Sequence, residues 1–196
     1  MMAFLSMIIY GFVASFTPGP NNIMALYFSK ELNFKRASRF SIGVGIGFLS
    51  LLIISYLFNE LLSNAFPLIE LFMKVFAFIY LIYLAYKIVK SSYNDSKQEF
   101  DEKLSGLGYG IILQFINPKA IIYALTVVST FIISVEMSRV SEISSLLVLA
   151  VIGFLGTFSW AVLGTIFKKI LIKHEKLFNI IMAILLVYVA FSILFH

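Results

Sequence analysis

Two short polar stretches that contain helix-breaking residues interrupt apolar segments of the 196-residue sequence. The first, "TPGPNN", has a proline on each side of Gly19, and the second, "NPK", places a proline next to Lys119. Proline lacks an amide hydrogen and clashes with the carbonyl one turn back, so both stretches should interrupt a helix. A helix that restarts after such a break offers free amides and a positive dipole end, which suit an anionic group. The candidate ligand-binding residues are Thr17, Pro18, Gly19, Pro20, Asn21, Asn22, Gln114, Asn117, Pro118 and Lys119.

Residue types that bind metals or act as nucleophiles are scarce. The chain contains no cysteine and two histidines, His174 in a lysine-rich loop and His196 at the C-terminus. Neither histidine has a metal-ligand neighbour at a useful spacing, so neither a metal site nor a cofactor is predicted. The apolar segments also offer no nucleophile–base pair, so the chain is not expected to be an enzyme.

The composition is that of an integral membrane protein. Hydrophobic residues make up 61% of the chain and charged residues 13%, and the mean hydropathy is +0.99. A soluble domain of this size would need more charge on its surface. The net charge of +5 could indicate a nucleic-acid partner, but the basic residues lie mainly in short loops, where they orient a membrane protein. We therefore expect a lipid bilayer around the chain and no nucleic acid.

Six apolar segments are long enough to be membrane-spanning helices, so the predicted fold is all-α. A hydrocarbon core of roughly 30 Å requires about 20 helical residues. The first and fourth segments exceed that length, as broken or tilted helices can. The predicted spans are Met2–Phe28, Phe40–Phe58, Phe66–Val89, Leu107–Val135, Ser144–Phe167 and Leu177–Phe195.

The distribution of basic residues predicts the orientation of these spans. The second loop has no lysine or arginine and the fourth has only Arg139, whereas each odd-numbered loop has four. Because cytoplasmic loops are rich in lysine and arginine, the odd-numbered loops should be cytoplasmic and both termini outside. The basic residues of the odd loops are Lys30, Lys35, Arg36, Arg39, Lys87, Lys90, Lys97, Lys103, Lys168, Lys169, Lys173 and Lys176.

The two halves of the chain resemble each other around the polar stretches. Aligned without gaps, Tyr10–Leu26 and Tyr109–Leu125 share six identities in seventeen positions. We predict two three-span repeats, residues 1–90 and 107–196, joined by a cytoplasmic linker at 91–106. Because each repeat has an odd number of spans, the second would have inverted topology, and paired proline-interrupted spans of this kind indicate the binding site of a transporter. The alternative is that the prolines only kink two helices for packing.

Lys119 and the glycine pairs also admit two interpretations each. Lys119 could extend to the headgroups, but its depth within the fourth span favours burial in a cavity. Gly43 and Gly47 form a small-xxx-small pair, which favours close helix packing inside the protein and also permits a homodimer.

The motif "TPGPNN" together with "QFINPKA" resembles the LysE/RhtB family of amino-acid exporters, and the similarity extends over essentially the whole chain. Within that family it is most similar to the cysteine and O-acetylserine exporter branch, which shares "TPGPNNI.AL" and "LQF.N.K". The resemblance implies export of amino acids or close derivatives across the bacterial inner membrane, driven by the proton gradient. The residues that match the family's motifs are Pro18, Gly19, Pro20, Asn21, Asn117, Pro118 and Lys119.

One departure from the family concerns proton coupling. Many members have an acidic residue in the second span, after its glycines, whereas this chain reads "GFLSLLIISY" there. Without an intramembrane carboxylate, either Lys119 or the substrate itself could carry the proton.

The predicted function is a secondary transporter that exports a small zwitterionic amino acid, with the two repeats rocking about a central site. A non-transporting structural or assembly subunit is the main alternative, and it would have no solvent-filled cavity at the breaks. A metal-ion exporter should offer thiolates or carboxylates within its spans, and this sequence has neither.

Overall fold

The computed structural model describes residues 2–91, 105–135 and 137–195, and most of the predicted linker at 91–106 lies outside these ranges. The described residues form helices and short connections, without strands, which confirms the all-α prediction. A π-helical segment, Val128–Ile133, continues α6. The helices are α1 Met2–Phe16, α2 Pro20–Glu31, α3 Phe34–Leu57, α4 Asn59–Ser91, α5 Leu107–Ile116, α6 Pro118–Val127, α7 Arg139–Ile166, α8 Lys168–Lys173 and α9 Glu175–Phe195.

Several of these helices have the length and polarity of membrane spans. Among the described residues α3, α7 and the Glu175–Ser192 part of α9 qualify individually, and α1 is a shorter apolar helix. Helix α5 and the segment Pro118–Ile133 qualify as one span that is bent by 70°. Large apolar side chains such as Ile46, Val151 and Ile184 are exposed on the outside, as expected for a surface that faces lipid.

Helices α3, α4, α7 and α9 begin earlier than the predicted spans, because hydropathy locates only the apolar part of a helix. Helix α3 begins at Phe34, where the Asn33 side chain accepts a hydrogen bond from the Arg36 amide at 2.9 Å. Helix α7 begins at Arg139, after Ser138 caps it by accepting from the Ser141 amide. Polar caps therefore extend both helices beyond their apolar segments.

Helix α2 lies inside the bundle, and every residue from Asn22 to Lys30 is buried. Its side chains pack into a core that includes Phe28, Phe40 and Leu186 from α2, α3 and α9. Helix α3 packs against α5, α6 and α7, and α7 also packs against α1 and α2. This packing fixes the position of the N-terminus of α2 within the protein.

Close contact between α3 and α5 depends on glycine. A methyl group at Gly43 or Gly110 would overlap backbone carbonyls of the opposite helix, and one at Gly47 would lie 2.6 Å from the Ile111 carbonyl oxygen. The backbones therefore touch, as the small-residue spacing predicts. This contact places the last turn of α5, which contains Gln114, directly against α3 at Gly47.

Candidate functional site

The first break covers residues 17–19, between α1 and α2. Pro20 is the first residue of α2, preceded by an extended Gly19, and no side chain caps this N-terminus. Pro20 has no amide hydrogen, and the Ile23 amide donates to the Gly19 carbonyl at 3.0 Å. In the first turn of α2, the amides of Asn21 and Asn22 therefore have no acceptor among the described residues. The N-terminus of α2 therefore presents free donors and a positive dipole end.

Asn22 satisfies carbonyls that the break leaves without helical partners. Its Nδ2 donates to the carbonyl oxygens of Ser15 at 2.8 Å and Thr17 at 2.9 Å. Its Oδ1 accepts from Thr157 Oγ1 of α7 at 3.1 Å. Both amide donors of this buried side chain are thus used to hold the irregular backbone.

Helix α7 stabilises the same break at two further points. Trp160 Nε1 donates to the Phe16 carbonyl oxygen at 3.2 Å. Gly156 lies directly against Ser15, so that a methyl group at position 156 would lie 2.5 Å from the Ser15 carbonyl oxygen. The absence of a side chain there allows α7 to contact the end of α1.

The second break lies at Asn117, between α5 and α6. The Asn117 side chain caps α6, because its Oδ1 accepts from the Lys119 amide at 3.1 Å, and Pro118 occupies the first helical position. The two breaks therefore differ, because the Asn117 side chain caps the N-terminus of α6, whereas no side chain caps the N-terminus of α2.

Gln114 connects the two breaks. Its Oε1 accepts from Asn21 Nδ2 at 3.0 Å, and its Nε2 donates to the Gly110 carbonyl oxygen at 3.0 Å. The side chain is almost fully buried, with 1% exposure. Gln114 thus fixes the first turn of α2 relative to the last turn of α5.

Lys119 reaches from α6 across to the first break. Its Nζ donates to Thr17 Oγ1 at 3.0 Å, to the Thr17 carbonyl at 3.3 Å and to the Pro18 carbonyl at 3.4 Å. A methyl group at Gly19 would lie 3.0 Å from this nitrogen, so the glycine leaves room for it. All three partners are neutral, and no described carboxylate pairs with the ammonium group.

A cavity of about 50 Å³ lies between the two breaks, which is room for several waters. Seven of the candidate residues line it, and Thr17 and Pro18 contact Lys119 at its edge. Pro118 lines a smaller neighbouring pocket. The candidates that line the main cavity are Gly19, Pro20, Asn21, Asn22, Gln114, Asn117 and Lys119.

Other lining residues are not among the candidates from the sequence. Ser15 aligns with Gln114 in the internal repeat, and Thr157 is a polar residue within the apolar α7, so both have some sequence indication. Phe48 and Tyr123 have none, because aromatic residues are common along the whole chain. The remaining lining residues are Ala14, Val44, Ala120 and Gly153.

No group of three histidine, cysteine, aspartate or glutamate side chains in the described parts of the chain could hold a metal ion. The chemistry that this cavity offers is therefore hydrogen bonding and one positive charge. Such a set of groups suits a small polar molecule that carries a carboxylate.

Comparisons with known proteins show the family to which the chain belongs. A family model described as LysE type translocator matches residues 12–196. The cysteine/O-acetylserine efflux protein of Klebsiella pneumoniae subsp. pneumoniae is 34% identical over 190 residues, which cover 94% of this chain and 93% of that protein. The proteins of the same name from Salmonella typhi and Escherichia coli (strain K12) are 32% and 29% identical, each over 95% of this chain and 94% of the relative. No solved structure matches the chain significantly. The chain therefore belongs to the LysE type translocator family and is a transporter rather than an enzyme.

Proposed function

We propose that the protein exports a small neutral amino acid or a close derivative, of the cysteine and O-acetylserine type, across the bacterial inner membrane. The observation that carries the proposal is the position of Lys119 beside the uncapped N-terminus of α2, at one cavity. The printed names of the relatives, cysteine/O-acetylserine efflux proteins, support the same substrate class.

The substrate carboxylate would bind the free amides of Asn21 and Asn22 and the ammonium group of Lys119. An ammonium group within a membrane protein is costly unless an anion or several oxygens stabilise it. Because its described partners are neutral oxygens, an incoming carboxylate would provide the missing negative charge. The small size of the cavity favours a substrate with a short side chain.

The proposed transport cycle is alternating access between two inverted repeats, residues 1–90 and 107–196, joined by the linker at 91–106. Both termini would be outside and the odd-numbered loops cytoplasmic. Reciprocal packing supports the repeat, since α3 of the first half contacts α5 and α6, and α7 of the second half contacts α1 and α2. Rocking of the halves would enlarge the cavity and expose it to each side in turn.

Coupling to the proton gradient would use groups already present at the cavity. No carboxylate is among the cavity's described lining residues. Lys119 or the ammonium group of the substrate would therefore carry the proton. Efflux that responds to an imposed pH gradient across proteoliposomes would support this coupling, and efflux indifferent to it would contradict it.

The test of the export proposal is flux of labelled cysteine, serine and O-acetylserine in proteoliposomes. We expect Lys119→Met to reduce flux at least tenfold, because the carboxylate loses the one cationic side chain among the described lining residues of the cavity. Lys169→Met, which removes an exposed lysine from α8, is the matched control and should transport normally. Normal flux from Lys119→Met would refute the proposed binding mode.

A non-transporting assembly subunit makes a different prediction about solvent access. Because the chain has no cysteine, a single introduced thiol can be labelled without background. Ala120→Cys in the cavity should react with a small charged thiol reagent, and substrate should protect it. Ala161→Cys, in the packed core at 0% exposure, is the control and should stay unlabelled. An unreactive Ala120→Cys would favour the assembly subunit.

A further inference from the structure

Three buried polar atoms of residues that line the cavity make no well-formed hydrogen bond in the described part of the protein, although the Ser15 and Tyr123 hydroxyls lie near each other. They are Ser15 Oγ, Asn21 Oδ1 and Tyr123 Oη. A buried hydrogen-bonding atom that stays unsatisfied costs roughly 1–3 kcal/mol, so such atoms are rare unless a ligand or water binds them. Ser15 and Tyr123 are only 9% and 6% exposed. Their position at the cavity therefore indicates that something entering the cavity satisfies them.

The Tyr123 hydroxyl is held in place by the packing of its ring. Tyr10 packs edge-on against the ring with centroids 5.7 Å apart, and Phe48 lies on another side at 4.7 Å. The oxygen points at Gly11, where a methyl group would lie 2.9 Å from it. The ring cannot turn away easily, and Gly11 provides the space for the hydroxyl.

The two hydroxyls belong to one wall of the cavity. Gly11, Ala14 and Ser15 lie on the same face of α1, because residues three and four apart share a helix face. Ala14 and Ser15 line the cavity, and Tyr123 reaches the same face at Gly11. Ser15 is fixed from the other side by Gly156 of α7.

This wall is distinct from the place proposed for the substrate carboxylate. Lys119 and Tyr123 are one turn apart on α6, which corresponds to about 6 Å of helix rise. A carboxamide oxygen only accepts hydrogen bonds, so Asn21 Oδ1 suits an ammonium group, whereas a hydroxyl can both donate and accept. The cavity therefore has separate places for an anion, a cation and a polar neutral group.

We propose that the hydroxyls of Ser15 and Tyr123 bind the polar group on the β-carbon of the substrate, a hydroxyl, thiol or ester oxygen. This subsite rests on the proposed amino-acid export and adds the element that selects the side chain. A site that hydrogen-bonds such a group rejects an analogue that lacks it, because its own polar atoms then stay unpaired. Serine and 2-aminobutyrate provide this comparison, since a methyl group replaces the hydroxyl.

The test measures efflux of labelled serine and labelled 2-aminobutyrate from proteoliposomes containing the full chain. Wild-type protein should prefer serine by about tenfold, which corresponds to roughly one hydrogen bond. Tyr123→Phe and Ser15→Ala should each reduce this preference severalfold, and the double variant should bring the ratio close to one. Tyr10→Phe removes a neighbouring tyrosine hydroxyl outside the cavity lining and should keep the wild-type ratio.

The possible failures can be told apart. Wild-type protein that transports none of these amino acids would overturn the proposed function together with the subsite. Active protein whose preference is unchanged in Tyr123→Phe and Ser15→Ala would overturn the subsite alone. The subsite alone would also be overturned if both variants reduced the flux of the two amino acids by the same factor, because an equal loss indicates a structural defect rather than lost selectivity. Size-exclusion chromatography of each variant shows whether it is folded.

Discussion

Asn21 Nδ2 donates to Gln114 Oε1 at 3.0 Å, so one hydrogen bond joins the start of α2 to the end of α5. The two residues are 93 positions apart, and each lies beside one of the proline breaks. Gln114 is buried and also binds the Gly110 carbonyl. The bond therefore sets the separation of the two broken segments on either side of the cavity.

We expect Asn21→Ala and Gln114→Ala to be coupled. Either change leaves one polar atom of the other side chain, Gln114 Oε1 or Asn21 Nδ2, without its hydrogen bond, at a cost of roughly 1–3 kcal/mol. Once one partner is gone, removing the second should cost little more. A double-mutant cycle on thermal unfolding in detergent measures this coupling, which we expect to be about 1 kcal/mol. Strictly additive effects would show that the two side chains do not act together.

The glycine contacts between α3 and α5 predict that two glycine-to-alanine variants lose thermal stability and that a third does not. Gly43→Ala and Gly110→Ala should separate the two backbones, because the new methyl groups overlap carbonyl oxygens that cannot move independently. Gly108→Ala is the matched control in the same helix, since a methyl group there meets nothing within 4 Å. We expect Gly108→Ala to unfold at the wild-type temperature or above it, because alanine favours helix over glycine by about 1 kcal/mol. Equal destabilisation by all three changes would contradict the close-contact explanation.

The helix breaks could be predicted from local chemistry, and the structure confirms them. Pro18, Pro20 and Pro118 each lack an amide hydrogen, so the sequence alone predicts that the helices are interrupted there. The cap at Asn117 follows the same local logic, because an asparagine before a proline suits the start of a helix. The early starts of α3 and α7 could also be predicted from nearby residues, since Asn33 and Ser138 are cap residues outside the apolar segments.

The cavity wall could not be predicted in the same way, because it depends on which helix faces meet. Trp160 and Thr157 bind groups at the first break from α7, at sequence separations of 144 and 135. Nothing near either residue in the sequence identifies its partner. In the sequence, Tyr123 cannot be distinguished from the other aromatic residues of apolar helices. Only the folded structure shows that its hydroxyl lies opposite Gly11. Orientation in the membrane, the inverted repeat and the homodimer stay predictions.

A buried lysine at the other end of α2 predicts an effect on stability. Lys30 Nζ lies 2.6 Å from Glu31 Oε1 and 3.0 Å from Glu175 Oε1, and it donates to Asn179 Oδ1 at 3.2 Å. Its side chain is 1% exposed, so removing the negative partners leaves a buried unpaired charge. We expect the double variant Glu31→Gln, Glu175→Gln to lose about 3 kcal/mol of stability. Chemical denaturation in detergent measures the loss.

Removing the lysine should be the milder change. Lys30→Met leaves the two carboxylates partly exposed, at 28% and 43%, where water can stabilise them. We therefore expect this variant to be more stable than the double glutamine variant. Lys173→Met, which alters an exposed lysine of α8, should match the wild type. The opposite order of stability would contradict the explanation that the two carboxylates compensate the buried charge of Lys30.

Asn117 allows helix capping to be separated from the charge in the cavity. Asn117→Ala removes the cap on the Lys119 amide and should cost about 1 kcal/mol of stability. Asn117→Asp keeps a capping oxygen but adds a negative charge to the cavity that contains Lys119. We expect Asn117→Asp to stay near wild-type stability while its half-saturating substrate concentration rises at least tenfold. Unchanged substrate affinity in Asn117→Asp would contradict carboxylate binding here.

The single tryptophan is a natural reporter of the first break. Trp160 Nε1 donates to the Phe16 carbonyl, at the point where α1 ends. Substrate binding at the N-terminus of α2 should shift the backbone that Trp160 contacts, and so change its fluorescence in a saturable way. The change should disappear in Lys119→Met and persist in Lys169→Met. Because the signal comes from one residue, a saturable change that persists unaltered in Lys119→Met would place the binding event elsewhere, away from the cavity between the two breaks.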